Sequence, residues 1–357
     1  MLLIVFKRTY VTKISSIKRK DAMAYTDEQV NLSLSFITSN GGYQTQHDPA
    51  LTYEKIQKSL SLSPVTKNIY DNIVFGPAVL RKSHNEGNLD YDDYMFFIVE
   101  SKVQPGCYKV AIRSTTSDLN AFEDIDVLQT SPWNTIDSVA PDDARISHGM
   151  MLTTTDIIGM TSNNLPAEGK TLAGFFKDIL ESSAEPITIT VCGHSMAGTL
   201  VPLIGLYLIT ELNSDRATVN VFSAAGTTAG NAAYAVYAKE RLNSRLTRLA
   251  NDKDVVTKAF SKQGLIELAT LYEPDIVESI VFKSLAYLAA EFLGVYEYTH
   301  TASPQAFDTP INPAFPTYAT QYPYQHGTAY LEHFNLKMVV LDEAPQTDED
   351  IVIVSTH

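Results

Sequence analysis

The residues best suited to chemistry in this 357-residue chain lie in Gly193-His194-Ser195-Met196-Ala197-Gly198. A β-branched run, Ile187-Thr-Ile-Thr-Val, precedes them, and the apolar run Leu200–Leu212 follows. Strand, sharp turn and helix in that order lift a serine hydroxyl out of the fold, where it can act as a nucleophile. Small residues flank the serine because the turn leaves little room for side chains. The helix start also places backbone N–H groups, that of Met196 first, near an oxygen that becomes negative during acyl transfer. Ala197 occupies a position where such turns usually carry glycine, but Gly198 follows at once.

A serine nucleophile needs a histidine base and an acid that orients it. When the serine follows a central strand in this way, the partners come later in the chain, in the order serine, acid, histidine. Asn251-Asp-Lys-Asp-Val-Val256 follows a strand predicted at Leu246–Ala250, so Asp252 and Asp254 are both candidates for the acid. The later histidines are His300, His326, His333 and His357. His326 lies in Tyr322-Pro-Tyr-Gln-His-Gly-Thr-Ala-Tyr330, a stretch rich in aromatics and turn formers, and His333 lies in a helix-like segment just beyond.

The elements that must position these residues are legible as patterns. Tyr94–Val99, a turn at Pro105-Gly106 and Cys107–Ile112 predict a β-hairpin. Leu172, Phe175, Phe176, Ile179 and Leu180 share one helical face, which predicts a helix leading into the Ile187 strand. Val219–Phe222 is the next strand. Strands alternating with helices imply a mainly parallel sheet covered on both faces, an α/β fold. Residues 23–60 read as a polar helical cover. Residues 257–296 read as two packed helices, an apolar insertion suited to shaping an acyl pocket or a dimer contact. Pro202 is an irregularity, since an interior proline removes a backbone bond from its helix.

Composition narrows the function classes. Hydrophobic residues make up 45% and charged residues 19%, as in a globular protein with a sizeable core. A formal net charge of −14 argues against nucleic acid and strongly anionic membranes as partners. Cys107 and Cys192 make no disulfide framework, and no metal or cofactor motif is present. Residues 1–22 read as a basic, disordered extension that does not resemble a cleavable signal, residues 23–357 as a single domain, and Asp342–Asp350 as an acidic tail. No apolar run approaches the ~20 residues of a membrane span. These features leave either a cytoplasmic or an exported location open.

Taken together, the motifs resemble the class 3 (fungal-type) lipase family of the α/β-hydrolases. Residues 193–198 are similar to its Gly-His-Ser-Leu-Gly-Gly. Val110-Ala-Ile-Arg-Ser-Thr-Thr-Ser117 is similar to its Val-x-Phe-Arg-Gly-Thr/Ser strand end. Leu119–Asp124 resembles its lid segment, His148-Gly149-Met150 its His-x-Gly-Phe, and Phe222–Gly226 with Gly230-Asn231 its Phe-Gly-x-Pro…Gly-Asn. The resemblance implies Ser195 as nucleophile, Asp254 rather than Asp252 as acid, and His326 as base, with His333 in reserve and His300 structural. It implies the backbone of Met196 and of Thr115 as oxyanion donors, no cofactor, and a lipid or small ester as substrate, with transient contact to a neutral lipid surface. Ser114, Ala121 and the missing Gly-x-Pro depart from the pattern. A catalytically silent relative that binds acyl ligands is the alternative they imply.

Overall fold

The computed structural model describes residues 25–41, 48–83, 90–113 and 126–341. The basic extension 1–22, the lid segment with Leu119, Ala121, Phe122 and Ile125, the residues Ser114 and Thr115, and the tail from 342 lie outside the described residues.

Two helices open the described chain, α1 (Asp27–Ile37) and α2 (Pro49–Leu62). Thr26 caps α1 through a reciprocal pair with Gln29, which satisfies two of the backbone donors left free at a helix start. The strands β1 (Ile73–Ser83), β2 (Asp90–Glu100) and β3 (Cys107–Arg113) then form an antiparallel meander. The predicted hairpin is its second half. A small ribbon of β4 (Thr130–Pro132) and β5 (Arg145–Ser147) follows, then α3 (His148–Gly159) and α4 (Leu172–Ser182). From there strand and helix alternate: β6 (Ile187–His194), α5 (Met196–Leu212), β7 (Ala217–Ala224), α6 (Ala232–Leu242) and β8 (Leu246–Asn251). The predicted insertion supplies α7 (Lys262–Leu268) and α8 (Ile280–Leu293) before β9 (Gln305–Phe307) and the short helices α9 (Tyr318–Pro323) and α10 (Ala329–His333).

The seven-stranded sheet runs β1-β2-β3-β6-β7-β8-β9, parallel from β3 to β9. Alternation along β2 shows why it is buried on both faces. Phe96 and Ile98 join the core under α3–α6, whereas Met95, Phe97 and Val99 join the core under α1 and α2. Cys192 of β6 belongs to the second core; burial pushes its thiol up to about 12, which leaves it an inert small apolar side chain. The α/β-hydrolase architecture expected from the motifs is present.

Helix α5 is continuous through Pro202, against the expectation of a disturbance there. The reason lies in the neighbouring strand. Pro202 has no N–H to give to the carbonyl of Gly198 four residues back, and the Ser223 hydroxyl of β7 donates to that carbonyl at 2.6 Å instead. Among the described residues, no helix is long and apolar enough to cross a membrane.

Candidate active site

Ser195 stands between the end of β6 and the start of α5 with φ 62° and ψ −129°. A non-glycine residue with positive φ costs on the order of 1–3 kcal/mol and persists only where its surroundings hold it. Here the Ser195 N–H donates to the Ala224 carbonyl of β7 at 3.0 Å. Two glycines permit the packing. A methyl at Gly193 would lie 2.7 Å from the Ala197 Cβ, and one at Gly198 would lie 2.2 Å from the Ala224 carbonyl oxygen. The place of Ala197 in the turn is thereby explained. Its methyl fills the space that Gly193 leaves, and the residue that must lack a side chain against β7 is Gly198.

Although Ser195 begins α5, its hydroxyl does not cap the helix. It lies 2.8 Å from Nε2 of His326. On the other side of that ring, Nδ1 is 3.0 Å from each Asp254 carboxylate oxygen. A carboxylate only accepts hydrogen bonds, so Nδ1 carries the hydrogen and Nε2 is the acceptor for the serine hydroxyl. The Met196 N–H, at the first position of α5, has no carbonyl four residues back within the helix and stays available beside Ser195.

The histidine is held by the π-helical turn Tyr324–Thr328 between α9 and α10. Asn251, fully buried at the end of β8, ties that turn to the acid loop. Its amide donates to the Gln325 carbonyl at 2.9 Å and to the Gln325 side chain at 2.6 Å, and its own oxygen accepts from the Lys253 N–H. Asp254 is fully buried and accepts from the Val256 N–H at 2.9 Å and from the Tyr330 hydroxyl at 2.8 Å. Burial, and then the Asp254 charge, drive the Tyr330 hydroxyl well above its ordinary range, so it remains a donor. It also accepts the Asn251 N–H at 3.0 Å.

His194 forms the floor. Its Nε2–H donates to the His326 carbonyl at 2.7 Å, and its ring sits 4.7 Å from Phe36 and 4.8 Å from His326. Burial, and then the neighbouring His326, hold it well below the ordinary imidazole range, so it is neutral. His194, Asn251 and Gln325 were not singled out by sequence reasoning, and Tyr330 served only as a landmark. His194 and Asn251 lie within the quoted motifs, but the motifs do not show what these residues bond to, because their partners lie far away in the chain.

The other candidates fall elsewhere. Asp252 donates its N–H to Phe307 and has no bond to His326. His333 is exposed and stacks on Phe307 at 4.1 Å, without contact to Ser195 or Asp254. Nε2 of His300 lies 2.9 Å from the Arg248 guanidinium and 2.9 Å from the Thr257 carbonyl. Burial, and then the Arg248 charge, lower His300 to about 3, in keeping with a structural role. A cleft of about 580 Å³ beyond the acid loop, lined by Arg248, Lys258, Glu267 and His300, contains none of Ser195, Asp254 and His326. No cluster of side chains suited to holding a metal ion occurs among the described residues.

Comparison with known proteins follows the same lines. Residues 109–264 match the family Lipase (class 3). The chain is similar to the crystal structure of M37 lipase, at 24% identity and a TM-score of 0.76 over 88% of this chain and 95% of that one. It overlaps a triacylglycerol lipase from Penicillium expansum at 15% identity and a TM-score of 0.47, with 82% of each chain covered. Lip2 lipase from Yarrowia lipolytica overlaps at 12% identity and a TM-score of 0.42, covering 66% of this chain and 76% of that one. No curated protein matches the chain.

Proposed function

We propose that this chain, whose residues 109–264 carry the features of the Lipase (class 3) family, is a serine hydrolase that cleaves lipid esters through an acyl-enzyme. One observation carries the assignment of roles: the hydrogen-bonded series Ser195–His326–Asp254, at 2.8 Å and 3.0 Å. Nε2 of His326 takes the Ser195 proton as Oγ attacks the ester carbonyl carbon. The carbonyl oxygen becomes negative and is met by the Met196 N–H, and by resemblance to the family also by Thr115. The imidazolium then protonates the departing alcohol as the carbon–oxygen bond breaks. Water then attacks the acyl-serine as the same imidazole takes its proton, and the imidazolium returns that proton to Ser195 Oγ as the carbon–oxygen bond breaks and the carboxylic acid leaves. Asp254 keeps Nδ1 protonated and steadies the imidazolium. Tyr330, Asn251 and Gln325 hold Asp254 and the histidine turn in register.

The scope within lipid esters follows from composition. With a net charge of −14, neutral acylglycerols and short neutral esters are favoured over anionic phospholipid. The decisive experiment combines labelling by a fluorophosphonate probe with hydrolysis of p-nitrophenyl esters of increasing chain length. Wild type is expected to be labelled and active, Ser195→Ala neither, and His326→Ala to lose most turnover while His333→Ala keeps it. A folded wild-type protein that is neither labelled nor active overturns the hydrolase reading in favour of a silent acyl binder. An inactive His333→Ala beside an active His326→Ala overturns the choice of base.

A further inference from the structure

Arg248 of β8 carries a charge that the fold leaves largely unanswered. The residue is only 7% exposed, and its hydrogen-bond partners are neutral. Nη2 lies 2.9 Å from Nε2 of His300 and 3.5 Å from the Thr257 carbonyl oxygen. His300 is uncharged, so it meets the guanidinium as a neutral acceptor. Nε is buried with no hydrogen-bond partner, and among the described residues no carboxylate pairs with Arg248. Asp254 acts on it through space, but its oxygens are engaged by His326, Val256 and Tyr330. A buried charge without a paired opposite charge is costly, and such a group calls for a reason.

The surroundings supply one. Arg248 lines the cleft of about 580 Å³ beyond the acid loop, a volume within the ~300–1,000 Å³ of small-molecule sites. The other cations of that wall are already matched: Lys258 pairs with Glu267 at 2.7 Å, and Lys262 with Glu291 at 2.8 Å. Asp252 and Glu297 also line the cleft and oppose a multiply charged anion. A single negative charge therefore suits the single unmatched guanidinium, whose planar fork fits a carboxylate. Ala250, Ala302 and Pro304 offer apolar surface to a short carbon chain. We infer that this cleft binds a small organic monocarboxylate, with its carboxylate seated on Arg248. The inference stands apart from the hydrolase reading, since the cleft contains none of Ser195, Asp254 and His326. Asn251, Asp252 and Thr257 of its wall flank Asp254 in the chain, so the bound ion braces the acid loop from behind.

Calorimetric titration of the full chain carrying Ser195→Ala, at fixed ionic strength, tests the site with sodium butyrate, butyramide and inorganic phosphate. Butyrate is expected to bind saturably, one ion per chain, and at least tenfold more tightly than butyramide, which has the same shape without the charge, or phosphate. Arg248→Gln is expected to weaken butyrate at least tenfold. Ser303→Trp, which fills the cleft from an exposed position on its wall, is expected to weaken it at least fivefold. Circular dichroism checks folding, and should Arg248→Gln not fold, Ser303→Trp decides. Butyrate binding that survives either change in a folded chain puts the ion elsewhere, the surroundings of Ser195 included, and overturns the inference. So does a parent chain that binds no butyrate up to tens of millimolar, or one that binds butyramide or phosphate as tightly. Fluorophosphonate labelling of the wild type is read independently: its absence removes the hydrolase reading and leaves the titration result standing.

Discussion

Gly198→Ala tests whether the elbow is held in the way described. The added methyl would sit 2.2 Å from the Ala224 carbonyl oxygen, 3.0 Å from the Gly226 nitrogen and 3.1 Å from the Ala224 carbonyl carbon. All three are backbone atoms, so no side chain can swing aside. Restoring ordinary contact requires α5 and β7 to separate by about 1 Å, given an optimum near 3.5 Å. Overpacking of this kind costs about 1–3 kcal/mol. The same carbonyl accepts the Ser195 N–H at 3.0 Å, so the movement acts directly on the proposed nucleophile. A 1 Å displacement of a reacting group is worth about 100-fold in rate. kcat/KM on p-nitrophenyl butyrate is therefore expected to fall about 100-fold, and urea denaturation to show a loss of about 1–3 kcal/mol. A variant with kcat/KM within threefold of wild type and an unchanged urea midpoint would refute the account of the turn.

Three further outcomes are expected. Tyr330→Phe removes the hydroxyl that donates to Asp254 and leaves the Asn251 N–H without its acceptor. An unpaired buried group costs about 1–3 kcal/mol, so stability in urea should fall by that amount and kcat by at least tenfold, and unchanged values in both assays would contradict its positioning role. Ser223→Ala strips the Gly198 carbonyl of the donor that replaces the missing proline N–H; a similar stability loss is expected by urea denaturation, and none would show that another donor serves. His300 concerns pH. Its folded value of about 3 lies below the ordinary 6.5, so below pH 6.5 the unfolded chain takes up a proton that the folded chain refuses. The neutral folded imidazole thus contributes fully above pH 6.5, and that contribution declines as pH falls towards 3. His300→Gln should lose less stability between pH 7 and pH 5 than wild type, and equal losses in the two urea series would contradict the assignment.

The sequence by itself determined the elements and the setting of Ser195, because both are written in local patterns. The apolar run Tyr94–Val99 with the turn at Pro105-Gly106, the β-branched run before Gly193 and the small residues around Ser195 each act over a few positions, and each element appears where the pattern put it. The loop of Asp254 and the stretch of His326 were narrowed by chain order and by resemblance to a family. The resemblance favoured Asp254 over Asp252 and His326 over His333, and the tertiary structure brings those two side chains to Ser195. Asp252 and Asp254 differ by two positions, yet only Asp254 turns inward, between the Val256 N–H and the Tyr330 hydroxyl. His326 and His333 share one aromatic segment, but the π-helical turn aims the first at Ser195 and leaves the second on Phe307. The supporting network of His194, Asn251, Gln325 and Tyr330 was equally hidden, since its bonds join residues some 70 to 130 positions apart. Two other features were visible only in three dimensions. Pro202 sits within an intact helix because a serine from the next strand replaces its missing donor. Within the apolar segment 257–296, Ala290 and Leu293 fill the inner side of their helix, so Val281, Leu285, Leu288 and Phe292 are left facing outward. Patterns along a chain report how apolar a segment is, and only packing fixes which side of it remains for a partner.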